Sequence, residues 1–253
     1  MHRKIITKSL IKKNYLHLFL GLCLTTNSYA MQDDDDPQRL KKLFQVIAKD
    51  NERVGVQHLH LTAEQGDMSS QYRLGNCYAL GKGVPQSDIE AEKWYSLSAQ
   101  QGLMGAQYSL GEVYNQGKGV AKNPIEAIKW FQLAADQGHA FAQFRMGIKY
   151  YEDKNYKEAI KWFRKAAGQG QVGSQAMLGS MYDAGEGVTK NSIDSIKWYR
   201  LSAEQGEPIA QYALGTKYYH GEGVSKDIAE ARKWFQKAAD QGNESAKIAL
   251  TKL

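Results

Sequence analysis

Cysteine, long apolar runs and net charge are all scarce in this chain. Two cysteines in 253 residues exclude a small fold stapled by disulfides. The main apolar run, Tyr15–Thr26, has twelve residues. A helix needs ~20 to cross a bilayer core of ~30 Å, so a multi-span membrane protein is excluded. The formal charge of +6 is local: Arg3, Lys4, Lys8, Lys12 and Lys13 lie in the first 30 residues, which contain no acid, and the rest carries only +1. Such a body offers no electrostatic reason for nucleic-acid binding. What is present is an apolar content of 42% and an aromatic content of 11%, too high for a disordered chain.

The basic start, the short apolar run and the small residues Ser28 and Ala30 follow the order of a secretory signal. Cleavage near Ala30 is expected, giving an exported product, periplasmic or secreted, with no stable membrane span. An uncleaved anchor is the other reading. A lipoprotein site at Cys23 is disfavoured because Leu22 is bulky where a small residue is wanted. Cleavage leaves Cys77 alone, unable to form an internal disulfide and expected as a small packed hydrophobe. Residues 31–36 then form a solvated acidic tail around Asp33–Asp36.

Internal repetition organises the rest. Trp94, Trp130, Trp162, Trp198 and Trp234 recur at intervals of 36, 32, 36 and 36 residues. Gln-Gly pairs close six segments, at Gly66, Gly102, Gly138, Gly170, Gly206 and Gly242. Five repeats follow at 67–102, 103–138, 139–170, 171–206 and 207–242. A degenerate helical pair (37–66) precedes them, with His58 at the tryptophan register and expected in the core, and a capping helix (243–253) ends the sequence. Each repeat reads as two helices. In 103–138, Ala106, Leu110, Val113 and Tyr114 form the first apolar stripe, and Ile125, Ile128, Phe131 and Ala135 the second. Gly117-Lys118-Gly119-Val120 separates them.

Second helices start on a recurring signal. Ser87, Asn123, Asn155, Asn191 and Asp227 each stand three residues before an acid, seven before the tryptophan and fifteen before the closing glycine, as caps for unpaired amide donors. Gly75, Gly111, Gly147, Gly179 and Gly215 lie inside first helices, where glycine costs about 1 kcal/mol relative to alanine. Repetition at that cost predicts close approach of helices beside bulky aromatics. One hairpin cannot bury such stripes on both sides, so neighbours must complete the interior.

The run Ala106-Gln107-Tyr108-x-Leu110-Gly111-x-x-Tyr114, then Gly117-x-Gly119-Val120, then Ala127-x-x-Trp130-Phe131-x-x-Ala134-Ala135 and Gln137-Gly138, resembles the Sel-one-like repeat family of the tetratricopeptide-like superfamily. The resemblance covers 67–253 well and 37–66 loosely. It implies an all-α fold, a right-handed α-solenoid of stacked helix-turn-helix repeats with about 13 helices, and an adaptor role in the bacterial envelope or in host interaction. Repeat 139–170 departs from the pattern: it lacks the Gly-x-Gly-Val loop and is four residues shorter, about one helical turn, so a change of curvature is expected there.

No catalytic set, cofactor site or metal site stands out. Gly168-x-Gly170-x-x-Gly173 matches a dinucleotide fingerprint in letters, but follows a helix where that motif needs a strand. His58 and His60 are two apart and so on different helix faces, unlike a metal-gripping i, i+4 pair. The expected function is non-enzymatic binding of a protein or peptide in a concave groove lined by first helices. The alternative, implied by the resemblance and the expected export, is an envelope enzyme acting on β-lactams or peptidoglycan; some disulfide-containing relatives are described as β-lactam-active. By the geometry the resemblance implies, groove candidates follow each helix glycine (Asn76, Glu112, Ile148, Ser180, Thr216) and lie one turn on (Ala79, Asn115, Tyr151, Asp183, Tyr219). They vary while the framework repeats; tolerant solvent positions would do the same. The row Tyr72, Tyr108, Phe144, Ala176 and Tyr212 reads as core packing in preference to an aromatic ladder.

Overall fold

A computed structural model describes residues 37–253; the expected signal and acidic tail lie outside them. The described residues form twelve helices and no strand. The first, α1 (Pro37–Glu64), precedes five hairpins: α2/α3 (Met68–Leu80, Asp88–Gln100), α4/α5 (Met104–Gln116, Pro124–Asp136), α6/α7 (Ala140–Glu152, Tyr156–Gly168), α8/α9 (Val172–Ala184, Ser192–Glu204) and α10/α11 (Pro208–His220, Ile228–Asp240). A short α12 (Glu244–Leu250) follows. The fold is an α-solenoid.

The described residues divide into two units, one ending at Lys49 and the other running from Asp50 to Leu253. In the first, residues 37–49 are the opening of α1, with Gln45, Val46, Ala48 and Lys49 exposed. The second holds the rest of α1 and every hairpin.

Residues 37–66, expected as a pair of helices, form one. No proline or glycine interrupts the stretch between Pro37 and Gly55, and Asn51, at the cap register, sits exposed in mid-helix. This accounts for twelve helices where about 13 were expected. His58 is likewise exposed. Tryptophans pack back onto the preceding hairpin, as Trp162 does beside Ala127 and Phe131, and α1 is the first described element. His60 enters the interior instead: its ring meets Trp94 edge-on at 5.7 Å, and Nε2 lies 2.9 Å from the Tyr78 hydroxyl.

All five expected caps accept the amide of the acid three residues on: Ser87 from Glu90, Asn123 from Glu126, Asn155 from Glu158, Asn191 from Asp194, Asp227 from Glu230. The acids do not reach back to the cap amide as in a capping box. That amide donates instead to a first-helix tyrosine carbonyl, at Tyr78, Tyr114, Tyr150, Tyr182 or Tyr218. Each acid's carboxylate takes the lysine three residues further on. The cap residue thereby also ties its two helices together.

Close approach within a hairpin falls on one pairing. A Cβ added to Gly75, Gly111, Gly147, Gly179 or Gly215 would lie 2.5–2.7 Å from the ring that follows the tryptophan, namely Tyr95, Phe131, Phe163, Tyr199 or Phe235. Ile125, expected in the apolar stripe, is 72% exposed; the buried face of α5 is Ala127, Phe131, Ala134 and Ala135.

Between hairpins, glutamines replace what would be a purely apolar seam. Gln71, Gln107, Gln143, Gln175 and Gln211 are buried, and each donates to an alanine carbonyl eight residues back. Each accepts in turn from the glutamine of a Gln-Gly pair: Gln101, Gln137, Gln169, Gln205 or Gln241, at 2.7–2.9 Å. Both polar ends of a buried amide are thus satisfied, which burial requires.

Candidate functional site

The first helices α2, α4, α6, α8 and α10 carry the candidate residues, and several bonds run from one repeat to the next. Glu112 on α4 takes a two-point contact from Arg145 on α6, with Nε at 2.7 Å and Nη2 at 3.0 Å. Such a planar fork fixes orientation as well as charge. Arg145 lies 5.9 Å above the Phe131 ring. Burial pulls its pKa down, but the bonds to Glu112 outweigh that and leave it above the ordinary value.

Tyr151 on α6 donates to Glu186 in the α8–α9 loop at 2.9 Å, and burial with that carboxylate pushes its phenol pKa up. Asp183 on α8 accepts from Lys217 on α10, whose amine also donates to Glu222 at 2.8 Å. Lys217 is only 4% exposed. It occupies the register of Val113 and Met181, both buried core residues. Burial alone would lower its pKa; the two carboxylates reverse the shift.

The remaining candidates divide. Asn76 accepts from the Tyr95 hydroxyl of its own hairpin at 2.7 Å. Ser180 touches Tyr199, a phenol that burial pushes up and this contact pulls down. Thr216 donates to the Tyr212 carbonyl of its own helix. Ala79 packs on the cluster of Ala91 and Tyr95. Asn115 and Ile148 come together in a cleft of about 280 Å³ with Pro124, Ile128, Phe131 and Lys149. Thr216 and Tyr219 line a second cleft of about 250 Å³ with Tyr212, His220, Phe235 and Lys252, and the Lys226 amine stands 5.7 Å over the Tyr219 ring.

The row of Tyr72, Tyr108, Phe144 and Tyr212 packs inward, with ring centroids 5.6–6.0 Å from Tyr95, Phe131, Phe163 and Phe235. Ala176 packs beside Tyr199. Tyr108 also stacks on His139 at 4.6 Å, and His139 caps α6 by accepting the Ala142 amide on Nδ1. Gly168, Gly170 and Gly173 fall at the α7–α8 junction between helices. Cys77 is a half-buried free thiol whose pKa burial raises. Among the described residues no three His, Cys, Asp or Glu side chains cluster to hold a metal, and no helix is long and apolar enough to cross a membrane.

Sequence reading missed Arg145, Lys217 and Glu186. A signal for them exists: each stands 33–35 residues after an oppositely charged or hydroxyl candidate, about one repeat on.

A family model described as the Sel1 repeat matches residues 69–103, 105–139, 140–171, 172–207 and 208–243. Among solved structures, the chain is similar to a Sel1 repeat protein from Oxalobacter formigenes, 34% identical with a TM-score of 0.74, over 86% of this chain and 87% of that one. It is also similar to a protective antigen present in uropathogenic Escherichia coli strains displaying an SLR fold, 42% identical with a TM-score of 0.72. That match covers 76% of this chain and 42% of the other, so the chain spans about two fifths of the E. coli protein's length. No curated protein sequence matches.

Proposed function

The chain belongs to the Sel1 repeat family, and on that premise we propose that it is an exported, non-enzymatic scaffold holding a protein or peptide segment along its first helices. Sel1 repeat proteins are generally protein-interaction scaffolds. The observation that carries the reading for this chain is the set of bonds from one repeat to the next: Glu112 with Arg145, Tyr151 with Glu186, and Asp183 with Lys217. They hold polar and aromatic side chains in fixed positions before any ligand arrives, which lowers the ordering cost of binding. An extended or helical segment laid along such a row meets a different side chain at every repeat.

The binding candidates in this reading are Asn76, Glu112, Asn115, Ile148, Tyr151, Ser180, Asp183, Thr216 and Tyr219. Replacing Asn115, Tyr151 and Tyr219 together by alanine is expected to weaken partner capture while leaving helical circular dichroism intact. Undiminished capture by the folded variant contradicts the assignment. Export rests on the basic start, the short apolar run and Ser28-Tyr29-Ala30; the description of the E. coli relative as a protective antigen supports it. Fractionation tests it: a product beginning after Ala30 in periplasm or medium agrees, and a full-length cytosolic product does not.

A further inference from the structure

Four of the five hairpins send their connecting loop backwards. The second glycine of each Gly-x-Gly-Val loop seats against the first turn of the preceding second helix or its α1 equivalent, always 31 residues back: Gly83 on Glu52, Gly119 on Asp88, Gly187 on Tyr156, Gly223 on Ser192. The approach leaves no room for a side chain. A Cβ on Gly187 or Gly223 would lie 2.7 or 2.8 Å from those residues, and φ is positive at both. The valine that follows plugs the same corner. Val84 packs on the cluster of Val56, Val120 on that of Ala91 and Tyr95, Val188 on that of Ile160, and Val224 on that of Ile196.

The third hairpin has no such plug. Its turn is Asp153-Lys154 alone, with Lys154 taking the positive φ of 59°. Counting 31 residues back from the missing glycine reaches Pro124, and 28 back from the missing valine reaches Ile128. Ile160 and Ile196, under their valines, are 4% and 5% exposed; Ile128 is only half-buried. The cleft of about 280 Å³ opens at this point, with an apolar floor of Pro124, Ala127, Ile128, Phe131 and Ile148 and a polar rim of Asn115, Arg145, Lys149 and Glu152. By the register of the other four loops, this is where the absent loop would seat.

We propose that this notch receives a β-branched aliphatic side chain next to glycine, carried on an extended segment of a partner protein that takes the place of the missing loop. The inference rests on the scaffold reading above and names the chemistry of its partner. The four filled sockets define the occupant's shape. A second copy of this chain is not the source, because its own four Gly-x-Gly-Val loops are each seated on their own array.

The test uses the full chain with isoleucine methyls labelled for NMR, and a blocked heptapeptide copying residues 117–123. Saturable shifts are expected at Ile128 and Ile148, with a peptide carrying Val120→Asp binding about tenfold more weakly, the scale of one lost buried aliphatic group. Replacing Asp153-Lys154 by the six residues 117–122 should raise the melting temperature and abolish the shifts. Should that graft fail to fold, Ile128→Lys on the half-exposed floor is expected to lose the peptide with unchanged circular dichroism. Absence of shifts at Ile128, equal binding of both peptides, or binding that persists in the Ile128→Lys chain overturns the proposal. Partner capture lost with Tyr151 and Tyr219 but indifferent to Ile128→Lys removes the notch and keeps the groove. Peptide binding at Ile128 without groove-dependent capture does the reverse.

Discussion

Gly111 faces the ring of Phe131 so closely that a methyl group on it would sit 2.5 Å from the ring edge. Phe131 is 4% exposed, and so has little room to withdraw. Gly111→Val is therefore expected to destabilise the array by about 1–3 kcal/mol through overpacking. Adding Phe131→Leu should recover part of the loss. Urea denaturation followed at 222 nm measures both; an unchanged midpoint for the single variant would contradict the close approach.

Gln143 donates to the Ala135 carbonyl at 3.2 Å and accepts from Gln169 at 2.8 Å while buried. Gln143→Leu removes both bonds, but the Ala135 carbonyl still accepts the Gly138 amide and the exposed Gln169 still donates to the Gly138 carbonyl, so the expected loss is about 0.5–1.5 kcal/mol for each bond. Gln143→Glu should be worse at neutral pH, since a carboxylate cannot donate to Ala135, and should improve as the pH falls and the acid is protonated. Denaturation midpoints at pH 5 and pH 8 distinguish the two variants.

Lys217 holds a buried position that Val113 and Met181 fill elsewhere. Lys217→Met is expected to be neutral or mildly stabilising, because it removes the desolvation cost of the buried ammonium while Asp183 and Glu222 are exposed enough to return to water. Asp183→Ala keeps the buried ammonium and removes one of its two carboxylates, so it should destabilise. Thermal melts of the pair check this, and a large loss for Lys217→Met contradicts it.

His139 accepts the Ala142 amide on Nδ1, which requires the neutral ring, and burial lowers its pKa. Protonation therefore binds more readily in the unfolded chain. The stabilisation is complete above the ordinary histidine pKa of about 6.5 and is lost as the pH falls through the lower folded value. His139→Asn, which still caps, should flatten this part of the pH–stability profile. A profile identical to that of the parent between pH 4 and 7 counts against it.

The repeat, its caps and its helix glycines were legible because each is a local pattern: a cap and its acid are three residues apart, and a helix glycine marks a close approach wherever it stands. The glutamine seam was visible only as motif letters. Its bonds run eight residues back and 26 or 30 forward, and need two hairpins in place before they exist. The uninterrupted α1 departs from the expected pair because no proline or glycine breaks the chain between Pro37 and Asn51, so a cap-register asparagine alone does not start a new helix. The notch at the third hairpin was half legible. The missing four residues were plain, but their consequence depends on where the other loops seat, which the letters do not state. The same holds for the groove positions, where Glu112 and Asp183 find partners one repeat on.

Position-resolved photocrosslinking in the native cell tests the scaffold reading most directly. A photoreactive residue is placed in turn at Asn115, Tyr151 and Tyr219 on the first helices, and at the exposed Lys129, Lys161 and Lys197 on the second. The account predicts a discrete adduct from the first set and none from the second. Adducts confined to the second set would contradict it.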